Sequence, residues 1–132
     1  MTHQSQLGAL GEDIACEELV RKSYRIIERN FRRKWGELDI IAKAPDKTLV
    51  FVEVKTVYAY SKDGIQPEEQ LTTAKLKKFK KAASLYAGHW QELIKDSKGW
   101  RLDLIAITLN ERDCYTLTDI AKNCVIKHYK NI

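Results

Sequence analysis

Two strand-like runs that carry acidic side chains constrain what this chain can fold into. The runs cover residues 36–42 and 49–56 and are otherwise mostly apolar. Successive side chains of a strand point to opposite faces, so each run has one apolar face and one face that carries charge. The charged faces hold Glu37, Asp39 and Ile41 in the first run and Phe51, Glu53 and Lys55 in the second, while Val50, Val52 and Val54 take the opposite face.

The segment 44–47 between the two runs has the residues of a tight turn. It reads Ala-Pro-Asp-Lys, and a proline at the first central position pre-sets the backbone angle φ that such a turn needs. The runs are therefore predicted to pair as a hairpin, which places Asp39 beside Glu53 and Lys55.

Two carboxylates and a lysine on a half-buried sheet can be held in two ways. One is a divalent cation, because carboxylate and carbonyl oxygens suit Mg²⁺ or Mn²⁺, which keep several waters and share their other positions with phosphate oxygens. The other is an ordinary cross-strand ion pair between Lys55 and Asp39 or Glu53 on a solvated face. The residues alone leave both open.

A first helix is predicted over residues 6–22, where apolar side chains recur at helical spacing. Glu12 lies along the apolar flank of this helix, from which its carboxylate can reach the sheet. It either completes the site on the strands or pairs with an arginine or lysine at the helix edge.

A second helix is predicted over residues 68–87. Its inward stripe consists of Leu71, Phe79, Ala82, Ala83 and Tyr86. The other side carries Lys77, Lys78, Lys80 and Lys81, which are first of all a solubilising face and only second a track for DNA. Lys75 falls within the apolar arc, so it must either extend to solvent or meet the carboxylate cluster, where it would place a cation beside a phosphate.

A basic segment follows the first predicted strand, which covers residues 24–30. Arg32, Arg33, Lys34 and Trp35 are predicted to form a turn that contacts a phosphate backbone and a base or sugar. The alternative is a solvated turn with the indole in the core. Residues 58–67, which lead away from Lys55, are predicted to form a loop beside the cluster.

The last third of the chain contains one clear strand, over residues 100–107. Arg101 and Asp103 share a face of it and are predicted to pair with a structural role. A short helical segment is predicted within residues 89–97, and a turn at 110–113 leads into a short run at 115–117. After Asp119 the pattern fits either a short helix or a frayed tail.

Several short motifs surround this cluster along the chain. They are Gly11-Glu12, Arg29-Asn30-Phe31-Arg32, Gly36-Glu37-Leu38-Asp39, Phe51-Val52-Glu53-Val54-Lys55, a later Lys75 and Arg101-Leu102-Asp103. Together with the spacing Asp39-x₁₃-Glu53-x-Lys55, they resemble the YraN-type family of predicted endonucleases, within the PD-(D/E)xK nuclease superfamily. The resemblance covers nearly the whole chain and departs from the superfamily's name at Leu38, where the name has a proline.

The resemblance implies an α/β fold with a restriction-endonuclease-like core, a central mixed β-sheet flanked by helices, similar to archaeal Holliday-junction resolvases. It implies metal-dependent cleavage of DNA, with branched DNA as substrate and a homodimer as the working unit. The implied roles are Mg²⁺ or Mn²⁺ binding by Asp39, Glu53 and the Val54 carbonyl, water positioning by Lys55, support by Glu12, and a further contribution from Lys75 or Glu37.

Composition limits the other function classes. The three cysteines (Cys16, Cys114 and Cys124) form no C-x-x-C pair, and the histidines at positions 3, 89 and 128 have no zinc-ligand spacing. Without a signal-like or membrane-spanning apolar run, a chain of 132 residues is expected to be one cytoplasmic domain, residues 1–132, with no membrane contact. Its net charge of +5 and pI near 9.1 favour a polyanionic partner.

Two other functions stay open at this point. One is a nucleic-acid-binding or adaptor protein that keeps the fold without cleaving its ligand. The other is a structural α/β domain in which the charged residues only satisfy one another. The intact set of Asp39, Glu53 and Lys55 counts against both.

Overall fold

The sheet and its two helices form an α/β fold. The structure, a computed structural model, describes residues 3–59, 64, 66–110 and 124–132. In that part the elements are α1 (His3–Arg21), β1 (Arg25–Arg33), β2 (Gly36–Lys43), β3 (Leu49–Tyr58), α2 (Thr73–His89), β4 (Trp100–Leu109) and β5 (Cys124–Tyr129). The predicted α/β class with a mixed sheet flanked by helices is confirmed, and it is consistent with a restriction-endonuclease-like core.

The five strands lie side by side in chain order. The pairs β1–β2, β2–β3 and β4–β5 are antiparallel, whereas β3 and β4 are parallel, from Leu49 opposite Trp100 to Tyr58 opposite Leu109. Parallel neighbours need a long crossover connection, and the segment that contains α2 supplies it. The predicted hairpin of the two acidic runs is confirmed as β2 and β3.

Helix α1 covers one face of the sheet. Its buried side chains, Ile14, Ala15, Cys16 and Leu19, share a core with Ile40, Ala42, Val50, Val52, Ile105 and Ile107 of the strands. The face that alternation predicts for the β3 valines is therefore the α1 face. The helix approaches β3 closely at Gly11, because a Cβ at that position would overlap the hydroxyl of Thr56.

Helix α2 covers the other face. Phe79, Ala82, Ala83 and Tyr86 pack against Phe31, Ile41, Phe51 and Leu102, as the predicted inward stripe requires. The helix begins later than predicted, because the Thr72 hydroxyl caps it by accepting a hydrogen bond from the N–H of Lys75 at 3.3 Å. Residues Pro67–Gln70 form a 3₁₀ helix, so Leu71 precedes α2.

A buried polar network joins the end of α1 to β4 and β5. Asp103 is fully buried, and its carboxylate accepts hydrogen bonds from Arg101 Nε at 3.0 Å and the N–H of Asn131 at 3.0 Å, and lies 2.8 Å from His128 Nε2. Arg101 also donates to the Tyr24 hydroxyl at 2.9 Å. Burial raises the pKa of Asp103, but the bonds from His128 and Arg101 outweigh it and hold that pKa below its usual value.

The C-terminal segment differs from the prediction. Residues Cys124–Tyr129 form strand β5, not a short helix or a frayed tail, and its side chains alternate between half-buried and exposed. The short helical segment predicted within 89–97 is a 3₁₀ turn, Gln91–Leu93. The run at 115–117, Cys114, most of the turn at 110–113 and residues 60–63 and 65 of the loop lie outside the described residues. No helix in the described ranges is long and apolar enough to span a bilayer.

Candidate active site

The carboxylates of Asp39 and Glu53 meet where the β2–β3 ladder ends. The last pair is Ile40 with Val52, and one further step in the same register sets Asp39 opposite Glu53. The Oδ2 atom of Asp39 accepts a hydrogen bond from the Val54 N–H at 2.9 Å, in the place of a strand carbonyl. The strands therefore separate at Asp39, and its side chain fills the gap.

The backbone carbonyl of Val54 faces the same gap. Within a β-ladder the N–H and C=O of one residue point toward the same neighbouring strand. Because the Val54 N–H points to Asp39, its carbonyl also points to the β2 side, beyond the last ladder pair. The Val54 carbonyl thus points toward the gap that the Asp39 side chain fills, next to Glu53 in the chain.

Glu53 holds a proton more tightly than an ordinary glutamate does. Burial raises its pKa to about 8, and the hydrogen bond to Asp39 and the negative charge of that residue act in the same direction. Lys55, whose Nζ lies 3.7 Å from Glu53 Oε1, and Arg32 lower the pKa by less. The raised pKa means that a second negative charge beside Asp39 is costly unless a cation compensates it.

This arrangement fits Mg²⁺ or Mn²⁺. Among the described residues, no group of three or more histidine, cysteine, aspartate or glutamate side chains is placed to hold a metal ion. An all-protein metal cage is therefore not built from these residues. Mg²⁺ does not need one, since it is usually bound by one or two carboxylates and keeps waters and phosphate oxygens in its other positions. Asp39, Glu53 and the Val54 carbonyl provide that donor set.

A cleft of about 590 Å³ opens above the pair on the α2 side. This α2 cleft is lined by the carboxylates Glu37, Asp39 and Glu53 and by the cations Arg33, Lys34, Lys55, Lys75, Lys78 and Lys81, together with Trp35, Gly36 and Phe79. Lys75 thus lines the same cleft as the carboxylates. Lys78 and Lys81 are exposed, as predicted for the solvated side of α2, and they line this cleft as well.

The basic segment 32–35 is arranged differently from the predicted turn. Arg32 and Arg33 belong to β1, and the turn consists of Lys34 and Trp35 alone. The Arg33 guanidinium lies 4.4 Å from the centroid of the Phe31 ring. Trp35 stacks on His89 with ring centroids 5.5 Å apart and packs on Phe31 at 5.3 Å, so its ring is partly used in packing.

Glu12 lies on the α1 side of Asp39. It is buried, its pKa is raised by burial and by the charge of Asp39, and a hydrogen bond with the Asn30 side chain opposes that rise. A second cleft of about 410 Å³ is found here. This α1 cleft is lined on the helix by Gly8, Ala9 and Glu12 and on the sheet by Asn30, Arg32, Asp39 and Val54.

Asn30 belongs to the motif Arg29-Asn30-Phe31-Arg32, and sequence analysis assigns it no role in the site. Its backbone is left-handed, with φ of 51°, in the middle of β1 and directly across from Asp39 in the β1–β2 register. Asparagine tolerates this conformation better than most residues, and such outliers often occur at functional sites. The Asn30 Oδ1 accepts a hydrogen bond from Arg32 Nη2 at 3.3 Å, so Asn30 bridges Arg32 and Glu12.

Comparison with known proteins assigns the chain to a family. Residues 11–107 match the model described as Uncharacterised protein family UPF0102. The chain belongs to the UPF0102 family. UPF0102 is the YraN family that the motifs indicate, and the matched range begins at Gly11 and contains all five proposed catalytic residues: Glu12, Asp39, Glu53, Lys55 and Lys75.

Individual UPF0102 proteins are similar over most of the chain. One from Thermotoga neapolitana is 43% identical over 98 residues, which cover 74% of this chain and 82% of the relative. One from Clostridium botulinum is 40% identical over 118 residues, covering 89% and 91%. One from Corynebacterium efficiens is 36% identical over 111 residues, covering 83% of each.

Proposed function

We propose that this UPF0102 protein is a Mg²⁺-dependent endonuclease that hydrolyses phosphodiester bonds in DNA. The observation that carries the proposal is the adjacent pair of carboxylates, Asp39 and Glu53, in a cleft lined by six cationic side chains. The cations suit a polyanionic backbone, and the pair suits a divalent ion that compensates its negative charge.

Asp39, Glu53 and the Val54 carbonyl would hold the metal ion. When bound there, Mg²⁺ polarises a phosphate oxygen and lowers the pKa of a water molecule. Glu53 must release its proton to become a ligand, because metal-binding carboxylates are ionised. The hydrogen bond from the Val54 N–H holds the Asp39 carboxylate in its orientation whether or not Glu53 is protonated.

The cationic side chains of the cleft act on the phosphate. Lys55 lies next to Glu53 on β3, where its ammonium group can hold the attacking water and stabilise charge that develops on phosphorus. Lys75 brings a second cation from α2. Glu12 lies on the α1 side of Asp39, where its hydrogen bond with the Asn30 side chain holds it in place beside the metal site we propose.

Other parts of the proposal rest on the family resemblance. They are a branched or otherwise structured DNA substrate and a homodimer as the working unit. A cytoplasmic location follows from the need for nucleic acid and from Cys16, a buried thiol that requires no oxidising compartment.

The decisive experiment removes one negative charge at a time from the pair. Asp39→Asn and Glu53→Gln are each expected to abolish cleavage of linear, flapped and four-way DNA in Mg²⁺ or Mn²⁺, with the circular dichroism spectrum unchanged. Calorimetry with Mn²⁺ should show a corresponding loss of metal binding. Glu92→Gln is the matched control, because it makes the same change at an exposed glutamate that is not among the described residues lining either cleft.

Two results would count against the proposal in different ways. Normal Mn²⁺ binding by both variants means that the metal site is assigned to the wrong residues. DNA binding by the parent protein with no cleavage on any substrate indicates the adaptor function, in which the fold is kept without catalysis.

A further inference from the structure

Asp39 lines both the α2 cleft and the α1 cleft. The two clefts therefore meet at the residue where the scissile phosphate is expected. A nucleic-acid strand bound with its phosphate at Asp39 can therefore place a neighbouring nucleotide in the α1 cleft. This step rests on the proposed function, and it concerns a cleft to which that function assigns no substrate contact.

The charges of the two clefts differ. The α2 cleft has six cations and three carboxylates, whereas the charged residues of the α1 cleft are one guanidinium, Arg32, and two carboxylates, Glu12 and Asp39. The phosphate backbone is attracted to the first and not to the second. The α1 cleft suits the uncharged part of a nucleotide, its sugar and base.

The shape of the α1 cleft agrees with that assignment. Its volume of about 410 Å³ lies in the range of small-molecule pockets. One wall of the cleft is formed by the small residues Gly8 and Ala9. A Cβ atom built on Gly8 would have no other heavy atom within 4 Å, so the space beside it is open. Nothing in these two residues obstructs a flat ring.

Arg32 supplies a surface on which a base can stack. Its Nη1 donates to the Phe31 carbonyl at 3.1 Å and its Nη2 to Asn30 Oδ1 at 3.3 Å, so two hydrogen bonds orient the guanidinium plane. The side chain remains half exposed, at 47%. Arginine planes are common stacking partners for bases that are splayed out of a helix.

We propose that the α1 cleft is a nucleoside subsite, which takes the sugar and base of one nucleotide next to the scissile phosphate. A base that is paired and stacked in a duplex cannot enter such a cleft without being extruded, which costs unstacking energy. The protein therefore prefers nucleic acid with an unpaired nucleotide at the cleavage position, as in a bulge, a flap or a single strand.

The test compares a fully paired duplex with the same duplex that carries one unpaired thymidine. Cleavage is measured in Mg²⁺ and binding in EDTA by fluorescence anisotropy. Gly8→Phe fills the α1 cleft, and Ala9→Phe is a second filling variant from the same helix. Two variants are the matched controls. Gly8→Ala changes the same position but adds only a methyl group. Val20→Phe adds an aromatic ring at an exposed position of α1 that does not line the cleft.

The parent protein and both controls are expected to prefer the bulged duplex by about tenfold, the value of one well-placed contact. The filling variants should lose that preference and still bind Mn²⁺ as the parent protein does, because neither change alters a proposed metal donor. An equal preference in Gly8→Phe, Ala9→Phe and Gly8→Ala would overturn the subsite. A binding preference without cleavage of any substrate would support the subsite and refute the nuclease proposal.

Discussion

At the scale of single residues, the protonation state of Glu53 provides a test of the proposed metal site. Burial, the hydrogen bond to Asp39 and its charge raise the pKa of Glu53 to about 8 from a usual value of 4.5. A pKa raised in this way means that the folded protein disfavours the charged form of the carboxyl group. It indicates a place where a bound cation would relieve a cost that folding has created.

This shift makes stability depend on pH in a defined direction. Between about pH 4.5 and pH 8 the folded protein keeps a proton on Glu53 that the unfolded chain releases, so unfolding becomes easier as pH rises through this range. In EDTA, Glu53→Gln should therefore be more stable than the parent protein at pH 8 and close to it at pH 4.5. Urea denaturation across the range measures the difference.

Magnesium provides the internal control for that measurement. Because the ion competes with the proton for Glu53, Mg²⁺ should stabilise the parent protein increasingly toward pH 8 and leave Glu53→Gln unaffected. A difference between parent and variant that stays constant from pH 4.5 to pH 8 would show that Glu53 titrates as an ordinary glutamate.

Asn30 shows what residue-level sequence reading misses. Alternation places Asp39, Glu53 and Lys55 on one face because side-chain direction in a strand has a fixed period. The left-handed backbone conformation of Asn30 interrupts that period within β1, and no neighbouring glycine or proline marks the position in the sequence. Its contacts with Arg32 and Glu12 depend on packing between β1 and α1, which periodicity does not encode.

At the scale of elements, α1 is positioned by a glycine. The built Cβ at Gly11 would overlap Thr56 on β3, whereas at Gly8, one turn earlier, it would meet nothing. Gly11→Ala should therefore lower the free energy of unfolding by about 1–3 kcal/mol through overpacking. Gly8→Ala should raise it by roughly 0.8–1 kcal/mol through helix propensity.

Urea denaturation of the two alanine variants tests the packing of α1 on β3. Because both changes add one methyl group to the same helix, general effects on the helix cancel in the comparison. Equal free energies of unfolding for Gly8→Ala and Gly11→Ala would mean that α1 lies further from Thr56.

Helix α2 provides a second test, through the position of its lysines. Lys75 lines the α2 cleft, and Lys80 is exposed and is not among the described residues that line it. Lys75→Ala should lower the single-turnover rate of cleavage by on the order of a hundredfold, as loss of a preorganised cation does. Lys80→Ala should change it little. Lys78 is unsuitable as the control, because it lines the same cleft.

Elements were predictable where one local rule decides them. The β2–β3 hairpin follows from alternation and Ala44-Pro45-Asp46-Lys47, and α2 follows from its apolar stripe. Strand β5 was not predicted, because apolar and polar residues alternate only weakly in its sequence. Its stability comes from partners distant in the chain, such as the contact of His128 with Asp103. Which of the exposed α2 lysines line the α2 cleft was not predictable, because a helical count gives the buried stripe but not the width of the adjoining cleft.

At the scale of the whole molecule, the positive charge is unevenly placed. The α2 cleft alone has three more cations than carboxylates, against a net charge of +5 for the entire chain. The proton that Glu53 keeps below about pH 8 increases that local surplus. We therefore expect a polyanion to be drawn to the cleft that contains the pair, and not to the surface at random.

The salt dependence of DNA binding tests this distribution. Each lysine or arginine that neutralises a phosphate releases counterions, so the logarithm of the binding constant falls with the logarithm of salt concentration by roughly 0.7–0.9 for each contact. Lys78→Ala, in the α2 cleft, should weaken binding of a single-stranded oligonucleotide in EDTA and reduce that slope by about one contact. Lys77→Ala removes the same charge from a nearby exposed position that is not among the described lining residues, and it should leave the slope nearly unchanged. Asp39→Asn should leave it nearly unchanged too, since binding in EDTA does not use the metal. Equal slopes for the two lysine variants would mean that net charge, and not this cleft, attracts the nucleic acid.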